Sequence, residues 1–186
     1  MDLTNKDDIR PVLAAFIGDT DRACGILAGA FLEELLEELV RRHMVESLPE
    51  DLFAKYGPLS SFAGKIDLAF ALGLISTSEF TDLHRIRRIR NIFAHSLEVL
   101  RFDSSPVRDH VDQLLLRRST ITGLATQERS DFETSVLILV GFLQSRIKQA
   151  VRPIVPHDVS DKLREHRTHD PTRAPGTREA SNESGE

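Results

Sequence analysis

Four arginines fall within residues 85–90, with His84 before them and Asn91 and His95 after, in a chain whose formal net charge is −5. Guanidinium groups match the planar, two-pronged geometry of phosphate and carboxylate. Imidazoles exchange protons near neutral pH. On a helix that turns about 100° per residue, His84, Arg87, Arg88, Asn91 and His95 share an arc of roughly 100°. Two readings are open for this basic stripe. It is a solvated face paired to acidic neighbours, or it binds an anion or a partner.

Other ionisable groups carry less chemistry. Glu33, Glu34, Glu37 and Glu38 form two acidic i,i+4 pairs. No Glu-x-x-His spacing accompanies them, so a metal or acid/base site is not expected. They read as a solvated face, with Glu37–Arg41 and Glu38–Arg42 paired in the favourable direction, or with one carboxylate reaching the arginines. Lys65 and Asp67 are the only charges in an apolar helix and are expected to support the basic stripe. Asp67 needs a partner there, with Arg87, Arg88 or a helix N-terminus as candidates. The single cysteine, Cys24, reads as a small core residue. No Cys/His cluster has zinc spacing, and no metal or cofactor is expected.

The elements that position these groups are helical. Ser76-x-x-Glu79 is a capping box, Gly73 suits the end of an earlier helix, and no Pro or Gly interrupts residues 74–105. A helix over 76–95 follows, with Leu83, Ile86, Ile89 and Phe93 as its core stripe. Further helices are expected over 7–17, 20–47, 60–72, 107–116 and 129–150. Gly25, Ala28, Gly29 and Ala30 let another helix approach the second of these closely, and its wide apolar face suggests a homodimer. The absence of Trp, the single Tyr and the ten Phe leave a Leu/Ile/Phe/Ala core that favours helices over strands. The spacing predicts an all-α bundle of about five to seven helices over residues 1–155. Residues 156–186 are rich in charge, with almost no large apolar groups, and read as a disordered polar tail.

The N-terminus does not read as a signal peptide. The run Val136–Leu143 is far short of the ~20 residues a membrane helix requires. A soluble, cytoplasmic protein without membrane contact is expected. The mildly acidic balance argues against broad, salt-driven coating of DNA.

Two blocks, Gly57–Ile75 and Leu83–His95, together with Asp21-Arg22 and Leu32–Leu39, resemble the bacterial mannitol operon repressor family. The resemblance spans roughly residues 18–150 and leaves out the tail. It implies an all-helical negative regulator of a sugar-alcohol operon that lacks the usual helix-turn-helix. The residues agree: the basic helix also carries core positions and is not free to enter a major groove. Repression through a partner protein or an effector is therefore expected, rather than direct, specific DNA binding.

Arg90–His95 also resembles the Arg-x4-His motif of the HEPN superfamily of helical domains. That resemblance implies an alternative: a metal-independent, toxin-like ribonuclease acting on RNA. His95 would be the acid/base, Arg90 would stabilise the phosphorane, and Asn91 would be the adjacent polar group. On an ideal helix, however, positions 90 and 95 lie about 140° apart.

Overall fold

The computed structural model describes Ala14 and residues 20–117 and 126–155. The helix expected over 7–17 and the tail from 156 onwards lie outside these, apart from Ala14. Among the described residues there are five helices and no strand: α1 (Asp21–Arg42), α2 (Phe62–Ala71), α3 (Thr77–His95), α4 (Ser105–Val111) and α5 (Gln127–Gln149). All belong to one compact unit, Met1–Pro153.

Local chemistry sets the helix ends. Thr20, Ser61, Ser76 and Thr126 each accept the N–H three residues on, which satisfies one orphan donor per helix. The capping box at Ser76 is complete. The Ser76 hydroxyl accepts from the Glu79 N–H, and the Glu79 carboxylate accepts from the Ser76 N–H at 2.7 Å. Gly73 adopts φ +69°. Its N–H donates to the Phe70 carbonyl and the Leu74 N–H to the Ala69 carbonyl, a Schellman closure that turns the chain from α2 into α3.

Two expected helices are shorter than the sequence suggests. α1 stops at Arg42, where His43 folds its ring nitrogen onto the Leu39 carbonyl. α4 ends at Val111 rather than reaching Leu116: the Leu114 N–H closes a turn onto the Val111 carbonyl, and a side chain of α3 takes the Leu115 and Leu116 amides.

α1 packs against α2, α3 and α5, and α3 packs against α2 and α4. Leu32, Leu35, Leu36 and Leu39 of α1 meet Leu83, Ile86, Ile89 and Phe93 of α3 and Val136, Leu139 and Leu143 of α5 in one core. The ring of Phe102 lies between those of Phe93 and Phe132, with centroids 5.2 and 4.6 Å away. The small residues of α1 do allow close approach, and the approaching helix is α3. A Cβ on Gly25 would lie 2.5 Å from the Phe93 ring, and one on Gly29 would lie 2.9 Å from Arg90 Cβ.

Candidate functional site: the polar side of α3

α3 has the two sides expected of it, but its core side is not purely apolar. Glu79 and Asp82 are buried among Leu83, Ile86 and Ile89. The Arg146 guanidinium of α5 donates to both oxygens of Glu79, at 2.5 and 3.1 Å. Burial alone would push the Glu79 carboxyl up. The bonds from Arg146 and from Ser76 outweigh it and hold the carboxyl below its usual range. Asp82 accepts from the Leu115 N–H at 2.8 Å and the Leu116 N–H at 2.8 Å, with Arg85 Nη1 at 3.4 Å. These amides lie just past the turn that ends α4.

The sequence predicts Glu79 as half of the capping box but not its burial, and it does not single out Asp82, although a signal for both was present. Positions 79 and 82 continue the 86, 89, 93 spacing, so an acid there faces inward. Asp21 is a third such anchor. It accepts from the Phe102 N–H at 3.0 Å and from Arg129 Nη1 at 2.8 Å. Arg22 donates to the Ser96 carbonyl at 2.9 Å, which caps the end of α3 beside His95.

The expected site residues separate into three places. His84 Nε2 lies 3.1 Å from Asp67 Oδ1, and its ring sits edge-on to Phe80. This corrects the partners expected for Asp67. Its side chain is 62% exposed and meets His84 rather than Arg87, Arg88 or a helix end, because the outer edge of α2 points towards the first turns of α3.

Arg88 is exposed. His110 of α4 has its pKa lowered first by burial and then by the charge of Arg88, with a further contribution from Arg85 against the opposing Asp109. His95 is exposed at the last position of the helix.

Arg87, Arg90 and Asn91 are brought together. They line a groove of about 250 Å³ with Glu33, Ser60, Ser61, Phe62 and Ala63. Arg90 Nη1 donates to Asn91 Oδ1 at 3.0 Å, and its Nη2 lies 4.0 Å from Glu33 Oε2. Lys65 is buried, with Nζ at 3.0 Å from Glu33 and 2.9 Å from Glu37. Burial opposes the Lys65 charge, yet the two carboxylates raise its pKa. Glu37 is correspondingly lowered by Lys65 and Arg41 against its own burial.

The acidic face of α1 is thus partly a solvated surface and partly a wall of this groove. The pairs Glu37–Arg41 and Glu38–Arg42 form at 2.8 and 2.7 Å as expected. Among the described residues no three His, Cys, Asp or Glu side chains cluster as a metal site would require.

The mannitol repressor family model matches residues 22–165. This chain belongs to the mannitol repressor family. The match begins at Arg22, which caps α3, and covers every helix from α1 to α5 except the first residue of α1. It runs past the residue-150 limit of the expected resemblance and into the stretch read as tail.

Among solved structures, the chain is similar to one described as the X-ray structure of the MtlR–HPr complex from Escherichia coli. The TM-score is 0.56 and the identity 21%, with 74% of this chain and 96% of that chain covered. At that identity the likeness speaks to the fold alone. No curated protein matches the sequence. No helix among the described residues is long and apolar enough to cross a membrane.

Proposed function

We propose that this protein is a negative regulator of a mannitol-type operon that acts through a protein partner. The observation that carries this reading is the placement of α3. Its basic side leaves Arg88 and His95 exposed, while its other side is held by buried Leu83, Ile86, Ile89 and Phe93 and by the buried carboxylates Glu79 and Asp82. A helix fastened in this way cannot leave the bundle to enter a DNA groove. It can present Arg88, with His84 and His95 on either side, to an acidic surface. Complementary charge at such a rim sets encounter rate and orientation.

The partner we propose is an HPr-type protein, by likeness to the Escherichia coli complex. Titration calorimetry with Escherichia coli HPr at micromolar concentration tests it. Binding is expected, and Arg88→Glu should weaken it by about tenfold, or about 1.4 kcal/mol, with an unchanged melting temperature. No heat and no complex with the wild type would overturn the reading.

A homodimer belongs to this proposal on new ground. The small residues of α1 are used inside the bundle, whereas Leu97 and Val99 beyond α3 are 101% and 97% exposed. A monomer mass by light scattering removes that part. The ribonuclease alternative has Arg90 turned to Asn91 and Glu33 and His95 exposed at the helix end. EDTA-resistant cleavage of single-stranded RNA, lost in Arg90→Ala and in His95→Ala, would revive it.

A further inference from the structure

Arg87 is out of balance with its surroundings. Among the described residues no carboxylate pairs with it, and its Nε is buried without a hydrogen-bond partner. A buried donor left without an acceptor destabilises a protein, more so when the group is charged. Its neighbours in the groove do not remedy this. Asn91 Oδ1 is taken by Arg90, which leaves the Asn91 amide nitrogen as a further donor. Glu33, the one carboxylate on the wall, is engaged by Lys65 at 3.0 Å.

The opposite wall is the start of α2. The Ser61 hydroxyl is occupied by the Gly64 N–H. The amides of Phe62 and Ala63 have no partner within the helix, and the helix end adds partial positive charge. Ser60 supplies a hydroxyl. The groove therefore offers two guanidinium groups and several neutral donors, with its one anionic acceptor already used.

We infer that this groove binds a phosphate monoester, with the phosphoryl oxygens taken by Arg87 and Arg90 and flanked by Asn91 and the first turn of α2. Two guanidinium forks around an oxygen-rich dianion give short, charge-assisted bonds, and the ligand supplies the anionic partner that Arg87 lacks among the described residues. About 250 Å³ has room for a phosphoryl group and a few carbons, and is smaller than the clefts of about 300–1,000 Å³ that bury drug-sized ligands. The source is a free small ester or a phosphorylated side chain presented by another protein. The site stands independently of Arg88 and of the partner proposal.

Thermal unfolding of the full chain at constant ionic strength tests it with three probes: inorganic phosphate, glycerol phosphate and a phosphoserine peptide. At about ten times Kd, linkage should raise the melting temperature by roughly 3–5 °C. A rise with glycerol phosphate alone assigns a free ester, and a rise with the peptide alone assigns a phosphorylated side chain. Either supports the site, as does a rise with both.

Arg87→Gln should abolish the response while leaving the ligand-free protein about as stable as the wild type, because Arg87 is half-buried, pairs with no carboxylate among the described residues and has a buried Nε without a hydrogen-bond partner. Asn91→Asp keeps an acceptor for Arg90 but places a negative charge in the groove, and should abolish the response as well. Arg88→Gln should retain it. No rise in the wild type with any probe, or a rise that persists in both Arg87→Gln and Asn91→Asp, would overturn the inference. HPr titration with Arg88→Glu reads the partner proposal separately, so the two can fail independently.

Discussion

Replacing Asp82 with alanine is the sharpest test of how the basic helix is held. Asp82 has 0% exposure and joins α3 to the chain leaving α4 by accepting from the Leu115 and Leu116 amides. A hydrogen bond to a charged group contributes about 1.5–3 kcal/mol, and a buried donor left unmade costs about 1–3 kcal/mol. Leu115 is exposed and Leu116 half-buried, so water can reach the freed amides and the larger sum does not apply. A loss of about 3 kcal/mol remains.

In a chain of this size each kcal/mol moves the midpoint by about 2–4 °C, so Asp82→Ala should melt roughly 6–12 °C below the wild type. Circular dichroism at 222 nm follows the transition, and urea midpoints give an independent free energy. Arg85→Ala removes only a 3.4 Å contact, longer than the amide bonds to Asp82, and should cost less than Asp82→Ala. An Asp82→Ala midpoint within about 2 °C of the wild type would refute the view that this carboxylate fastens α3 to the rest of the bundle.

Glu79 gives a pH dependence with a definite sign. Its folded pKa lies below the ordinary 4.5, so its contribution is fully present above that value and is lost as pH falls through the folded pKa. Glu79→Gln should lower the midpoint at pH 7 and flatten its decline below pH 4.5. Parallel pH profiles for variant and wild type would contradict this. Gly25→Ala gains about 1 kcal/mol of helix propensity but drives a methyl group to 2.5 Å from the Phe93 ring. We expect a net loss of up to about 2 kcal/mol, because overpacking costs about 1–3 kcal/mol against that gain of about 1 kcal/mol. A more stable variant by denaturant titration would show that the α1–α3 contact is looser than described.

Much of the fold could be read from local pattern. Ser76, Glu79 and Gly73 mark the boundaries of α2 and α3 because capping and positive-φ turns depend on a few adjacent residues. Leu83, Ile86, Ile89 and Phe93 show their shared face through helical periodicity alone. The pairs Glu37–Arg41 and Glu38–Arg42 likewise needed only the helix.

What the tertiary structure decided is which charges face one another. From α3 by itself, Arg87, Arg88 and Arg90 are similar groups. The close approach at Gly29 brings Arg90 to Glu33, the start of α2 closes a groove over Arg87, and Arg88 is left outside. Asp67 found His84, Lys65 found two glutamates, and Asp82 found amides some thirty residues away. Helix formation is set by neighbours within about four residues. The partner of a side chain is set by how helices cross, and that emerges only once the core of α1, α3 and α5 has packed.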